Sequence, residues 1–219
     1  MKAGSECESI KPTAPTRAGA RAGLLVLGAL LWKLLWLGPG SERLGDWGPP
    51  LFLGTLAATG AAFQWCSSAE KPRLRLRELV PRSGTVVSSG VVLILAVLPA
   101  LTGSLYATAI HGWRGIIVHA HLPLTALMGG VLYVVTTPLV EEFYFRHVLH
   151  LEILQLFRHP FTVAAVNSVW FAAIHVPYNM PLALITGLCC TALRMRTRGL
   201  GWPIVAHALT NLVLEILQQ

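Results

Sequence analysis

The sequence predicts an all-α, polytopic membrane protein with about seven transmembrane helices around an intramembrane polar cavity. Three observations predict it. The 219 residues are 54% apolar and only 12% charged, where a soluble domain carries about 25% charged residues, and the mean hydropathy is +0.60. Apolar runs of roughly the length that crosses a bilayer, about 20 residues, recur along the chain. Basic residues collect in alternate loops, as the loops that set membrane orientation do.

The apolar runs cover 23–38, 49–66, 86–110, 122–145, 161–178, 181–193 and 200–217. The first and sixth are short, and Lys33 interrupts the first. Arg17 and Arg21 ahead of AGLLVLGALLWKLLWLG look like the start of a signal peptide, but no small-residue cleavage site follows, which favours an uncleaved first span. HVLHLEILQLFR (147–158) is apolar but amphipathic, so it either extends the fourth helix or lies in the interface. Residues 1–22 are rich in Ser, Pro and Ala and read as a disordered tail. Residues 23–84 then hold the N-terminal spans and a basic loop, and 85–219 the core.

Loop charges test the count. The tail carries Lys2, Lys11, Arg17 and Arg21, whereas loop 39–48 has only Arg43 as a cation. Loop 67–85 holds Lys71, Arg73, Arg75, Arg77 and Arg82, and loop 111–121 only Arg114. Arg146 and Arg158 come next, then the uncharged VPYNMP, then Arg194, Arg196 and Arg198. The alternation places the N-terminus in the cytoplasm and the C-terminus outside. The Arg-rich stretch 71–82 reads as a topology determinant or a contact to acidic lipids. A net charge of +7 raises nucleic acid as a partner, but the arginines form no stripe interleaved with aromatics. The expected partners are the lipid bilayer and a membrane-associated protein or peptide, and no nucleic acid. Four scattered cysteines give no disulfide framework, and Cys189 and Cys190 read as core residues. There is no internal repeat of the kind that builds two-halved transporters.

Polar residues inside apolar segments carry the functional signal. Glu141 and Glu142 end the run ALMGGVLYVVTTPLV, and a charge at bilayer depth costs roughly 2.5–3.5 kcal/mol on insertion scales. Glu142 and Arg146 are i,i+4 and share a helix face, where a guanidinium can hold a carboxylate by two parallel hydrogen bonds. Glu141 is turned by about 100° from Glu142 and is expected to point elsewhere, into a cavity. Pro138 either kinks the fourth helix and aims the glutamates or is an ordinary membrane-helix proline. Phe171 and His175 are i,i+4 on the fifth span, and His207 and Asn211 on the seventh. Each pair alone also fits a hydrogen-bonded core histidine or interhelical glue. Together they supply carboxylates, imidazoles, a guanidinium and an amide, the inventory for activating water and stabilising an oxyanion.

The motifs EEFYFR, FAAIH and HALTN match E-E-x-x-x-R, F-x-x-x-H and H-x-x-x-N in order. Residues 85–217 thereby resemble the CAAX protease and bacteriocin-processing family of intramembrane glutamic proteases, which includes the type II CAAX prenyl endopeptidases. Members often have eight spans. The resemblance implies that Glu141 and His175 activate a water for attack on a peptide carbonyl. Glu142, held by Arg146, would assist or position, His207 and Asn211 would stabilise the oxyanion, and Phe171 would line or brace the site. It implies no cofactor and no metal, consistent with the lack of an H-E-x-x-H signature. The expected substrate is a C-terminal tail bearing a lipid or a hydrophobic anchor. Prenylated CAAX tails, sorting signals and bacteriocin leaders all suit the family. The Ala/Leu/Arg/Gly-rich composition leans toward a bacterial inner membrane, where CAAX tails are not expected and a sorting-signal or peptide-maturation substrate fits better.

Three other readings stay open. His147 and His150, i,i+3, suit a metal pair or an interfacial helix flank. The glutamates and histidines suit a proton relay in a transporter. A non-catalytic scaffold or immunity-type protein of the same fold predicts that Glu141→Gln is silent. One geometric tension accompanies the protease reading: on straight helices Glu141 sits near the inner end of its span and His175 nearer the outer side. The two meet only if the fifth helix starts higher or the fourth runs on past Arg146.

Overall fold

The computed structural model describes residues 15–37, 48–67, 78–79, 89–111, 130–157, 159–175 and 179–218. Among the described residues there are helices and no strands. They are α1 (Pro15–Leu37), α2 (Gly48–Ser67), α3 (Ser89–His111), α4 (130–156), α5 (Pro160–Ala173), α6 (Met180–Thr197) and α7 (Gly201–Gln218). Each overlaps one predicted apolar run. Residues 15–22, read from sequence as tail, are the first turns of α1; residues 1–14 lie outside the described residues.

The fourth helix departs most from expectation. It runs without a break from 130 to 156, so HVLHLEILQLF extends it. Its hydrogen-bond pattern changes along the way. Leu132–Thr136 is π-helical, Thr137–Glu142 α-helical, Phe143–Leu149 π-helical and His150–Leu156 α-helical again. Pro138 is buried at the start of the first α-helical stretch. It has no N–H to give to the carbonyl one turn back, and the turn before it is the wider one. π-turns bond i to i+5, are rare, and interrupt α-helices frequently at functional sites. From Tyr144 to Ile153 every residue of α4 is buried, so this is the central helix.

The other helices enclose it. α1 and α2 pack against its C-terminal half and middle, α5 and α7 flank it, and α3 packs on α6 and α7. Leu25 and Leu56 of α1 and α2 share a buried cluster with Tyr144, Phe145, Leu149, Ile153 and Phe171. The Tyr144 hydroxyl donates to the Leu25 carbonyl at 2.7 Å, which satisfies a polar atom that burial would otherwise penalise. Cys189 and Cys190 are buried free thiols, as their apolar context suggested. α5 begins at Pro160 with His159 extended before it, the backbone a residue preceding proline adopts. The helix is short: it ends at Ala173, so His175 lies in the turn beyond it rather than within a span reaching 178.

Large apolar side chains also face outward, on α1 (Leu24, Leu27), α3 (Ile94, Leu101, Leu105), α4 (Val131, Val135) and α7 (Leu212, Ile216). Among the described residues no helix is long and apolar enough to cross a membrane.

α6 ends on Arg198, whose φ of 52° and ψ of 25° are left-handed. A side chain in that region costs roughly 1–2 kcal/mol, and glycine pays none of it. Gly199 follows, one residue too late to take the strained position. Arg198→Gly is therefore expected to raise the thermal midpoint of the full chain by a few degrees, corresponding to about 1 kcal/mol; a lowered midpoint would mean that the Arg198 side chain contributes more than its backbone costs.

Candidate active site

The site forms where α4, α5, α6 and α7 meet, and it is organised around two aromatic groups. The first is the imidazole of His207 on α7. Its Nδ1 lies 2.9 Å from Glu142 Oε1 and its Nε2 lies 3.8 Å from Glu141 Oε2. An ionised carboxylate only accepts hydrogen bonds, so the bond to Glu142 places the hydrogen on Nδ1. The adjacent glutamates thus converge on opposite nitrogens of one ring. Glu141 was expected to point away from Glu142; it diverges along the helix face but returns to the same imidazole.

The second is the ring of Phe171 on α5, which is completely buried. The Arg146 guanidinium carbon lies 4.2 Å from its centroid, within cation–π range. His207 meets the ring edge-on at 5.5 Å and 86°, and His175 approaches at 4.7 Å and 57°. One phenyl ring therefore spaces a guanidinium and both imidazoles. This is how His175 joins the cluster despite its predicted depth. α4 runs on past Arg146 to Leu156, one of the two arrangements under which the motifs could meet.

Arg146 sits 3.2 Å by its Nε from Glu142 Oε2, both side chains fully buried. The expected pair of parallel hydrogen bonds is not the arrangement found. Nη2 instead donates to the Gly187 carbonyl of α6 at 3.3 Å. Widening of the helix at Phe143–Leu149 changes the register of Arg146 relative to Glu142, and the guanidinium divides itself between two helices. The Gly187 carbonyl also accepts from Thr191 Oγ1 at 2.8 Å. Glu141 Oε2 and Arg146 Nη1 are buried with no hydrogen-bond partner among the described residues.

A small cavity of about 40 Å³ opens beside the cluster, lined by Tyr133, His175, Thr186, His207 and Asn211 among others. It exceeds the roughly 10–15 Å³ that one water needs. Asn211 donates to the Tyr133 carbonyl at 3.1 Å, which ties α7 to the first π-helical stretch of α4. The His175 Nδ1 lies 2.8 Å from the Phe171 carbonyl, so that ring is oriented by the last turn of α5.

Several residues in this region were not singled out from sequence. Gly187 has no Cβ because α5 crosses it closely: one would lie 3.0 Å from Ser168 Cβ, 3.1 Å from its Cα and 3.3 Å from Phe171 Cδ1. Asn167 donates to the Phe145 carbonyl at 2.8 Å. Asn167 and Phe171 are i,i+4 within an otherwise apolar run, a signal that was available. His147 and His150, the alternative metal pair or interfacial flank, are both buried; His150 Nδ1 lies 3.5 Å from Asn167 Nδ2, and His147 stacks on Phe143. Among the described residues no three His, Cys, Asp or Glu side chains are grouped to hold a metal ion. His119 and His121 lie outside the described residues.

Two substitutions follow from the packing. Gly187→Ala is expected to cost about 1–3 kcal/mol by overpacking, read as a lowered thermal midpoint, because the backbone of Ser168 must move. Glu142→Ala leaves Arg146 buried without its carboxylate and is expected to cost about 3–5 kcal/mol; a midpoint unchanged from wild type would refute the buried pair.

Comparison with curated proteins finds no match, and neither does comparison with solved structures. A protein-family model does match. Residues 123–213, which carry all three motifs and every side chain of the His207–Phe171 cluster, match the model of the Rce1-like family of type II CAAX prenyl endopeptidases.

Proposed function

We propose that the protein is an intramembrane glutamic endopeptidase that cuts a peptide bond near the C-terminus of a membrane-associated protein or peptide. The observation that carries this reading is the clamping of His207 between Glu141 and Glu142, next to a cavity large enough for water. The family match supports CAAX-type endopeptidase activity in general terms. Outward-facing leucines, isoleucines and valines on several helices support a lipid environment, since soluble monomers rarely expose such extended apolar surface. The seven-span topology, with the N-terminus inside, rests on the loop charges.

In this mechanism Glu142 is an orienting group. Its charge is matched by Arg146, and it fixes the tautomer and plane of His207. Glu141 is the base. Its Oε2 accepts a hydrogen bond from the attacking water and takes one proton as the hydroxyl oxygen adds to the scissile carbonyl. His175 and His207 line the same cavity: with the hydrogens on their Nδ1 atoms, His175 accepts from the attacking water through Nε2 and shares its activation, and His207 accepts from the Glu141 carboxyl once that holds the water's proton. Asn211 adds an amide donor at the cavity wall. The oxyanion then re-forms the carbonyl as the C–N bond breaks and the proton on Glu141 passes to the leaving nitrogen, which yields a carboxylic acid, ionising in water, and a free amine. The apolar wall of Leu182, Ala183 and Leu214 limits the water that reaches this chemistry and strengthens each polar contact within it.

The test uses an internally quenched peptide ending in a farnesylated Cys-a-a-X tail, with the full chain in lipid nanodiscs. Glu141→Gln keeps the shape of the side chain and removes the base, so kcat is expected to fall by about 10²–10⁴-fold with an unchanged thermal midpoint. No turnover by wild type would favour the scaffold reading, and equal turnover by wild type and Glu141→Gln would remove Glu141 as the base.

A further inference from the structure

We propose that Arg194 and Glu78 form a positioning link that holds the catalytic geometry from outside the three motifs; this rests on the protease reading above. Arg194 lies on the last turns of α6. Its Nε donates to the backbone carbonyl of Arg146 at 3.2 Å, inside the π-helical stretch Phe143–Leu149. Its Nη2 lies 3.8 Å from Glu78 Oε2, with both side chains mostly buried. Two arms of one guanidinium therefore reach two separate segments. Arginine suits this role because its donors are fixed in a rigid fork, whereas a lysine ammonium is a single point.

Glu78 grips the same region a second time. Its backbone carbonyl accepts from the Leu200 N–H at 2.6 Å, and Gly199 approaches that carbonyl so closely that a Cβ would lie 3.3 Å from it. Leu200 immediately precedes α7, and His207 lies on α7 seven residues later. Through Glu78 and Arg194, the start of the histidine helix is joined to the carbonyl of Arg146, whose side chain pairs with Glu142. The two ends of the Glu142–His207 hydrogen bond are thus fixed to a common strut. Glu78 is the one acidic residue within the Arg-rich stretch 71–82 and lies outside the part of the chain that matches the family model. Glu78 itself, within the stretch read from sequence as a topology determinant or a lipid contact, is held against α6 and the residue before α7.

The link predicts non-additivity. Residues that act through one chain of contacts are coupled, and a misplacement of about 1 Å can cost 10²-fold in rate. With the quenched farnesylated peptide, Arg194→Ala is expected to lower kcat at least about tenfold with KM within about twofold of wild type. Arg194→Lys is expected to recover only part of the loss. Glu78→Gln keeps the backbone bond to Leu200 and is expected to lower kcat less than Arg194→Ala. The double variant Glu78→Gln/Arg194→Ala should be no slower than Arg194→Ala alone. A double variant whose loss is the product of the two single losses overturns the link, as does a loss confined to KM. A second measurement does not depend on turnover. In the ¹⁵N-histidine spectrum of the full chain in nanodiscs, both single variants are expected to shift the His207 ring signals and leave exposed His159 unmoved. Unchanged His207 signals in both variants overturn the link even if wild type cleaves nothing; shifted signals with an inactive wild type sustain the link and overturn the protease reading alone.

Discussion

The structure depends on one buried charge arrangement. Glu142 and Arg146 are both fully buried, and in such surroundings either charge alone would be far more costly than the pair. Their side chains must therefore stay together, and this fixes the face that α4 turns toward α5, α6 and α7. His207 is drawn to the remaining oxygen of Glu142, and the guanidinium is drawn to the Phe171 face and the Gly187 carbonyl. Each of these contacts comes from a different helix. The charge pair is thus the point at which four helices agree on position.

The departures from regular helix follow from the same demand. A straight α-helix with Glu142 and Arg146 at i,i+4 would favour a closed side-chain pair on one face. The π-helical turn from Phe143 to Leu149 lets Arg146 serve Glu142 and α6 at once. It also places the Arg146 carbonyl where Arg194 can reach it. On α5 the close crossing at Gly187 sets Phe171 against the guanidinium. The early end of α5 then turns His175 back toward the cavity, with its ring bonded to the Phe171 carbonyl.

Much of this was legible in the sequence, and the reason is periodic. Each helix among the described residues overlaps an apolar run, and Glu142–Arg146, Phe171–His175 and His207–Asn211 announce themselves by one-turn spacing in apolar surroundings. What escaped was geometry that no spacing encodes. Convergence of Glu141 on His207 depends on where α7 crosses α4. The π-helical turns depend on Pro138 and on tertiary contacts rather than on local propensity. The end of α5 at Ala173 is not marked by a strong breaker, since Pro177 lies four residues further on. Gly187 looked like any small residue in a membrane-type run, and only the proximity of Ser168 gives it meaning. Glu78 was hidden among arginines in a loop read for its net charge.

The central claim is that Glu141, oriented against His207, makes this cluster hydrolytic within a membrane. Mass-spectrometric mapping of protein termini in the native host tests it most directly, comparing wild type with Glu141→Gln at equal membrane abundance. A set of C-terminal fragments present with wild type and absent with the variant is the predicted result, and the lost cleavage sites would define the substrate. Identical termini in both, with the protein folded and present in the membrane, would contradict the claim and leave Glu141 and Glu142 as structural partners of Arg146 and His207.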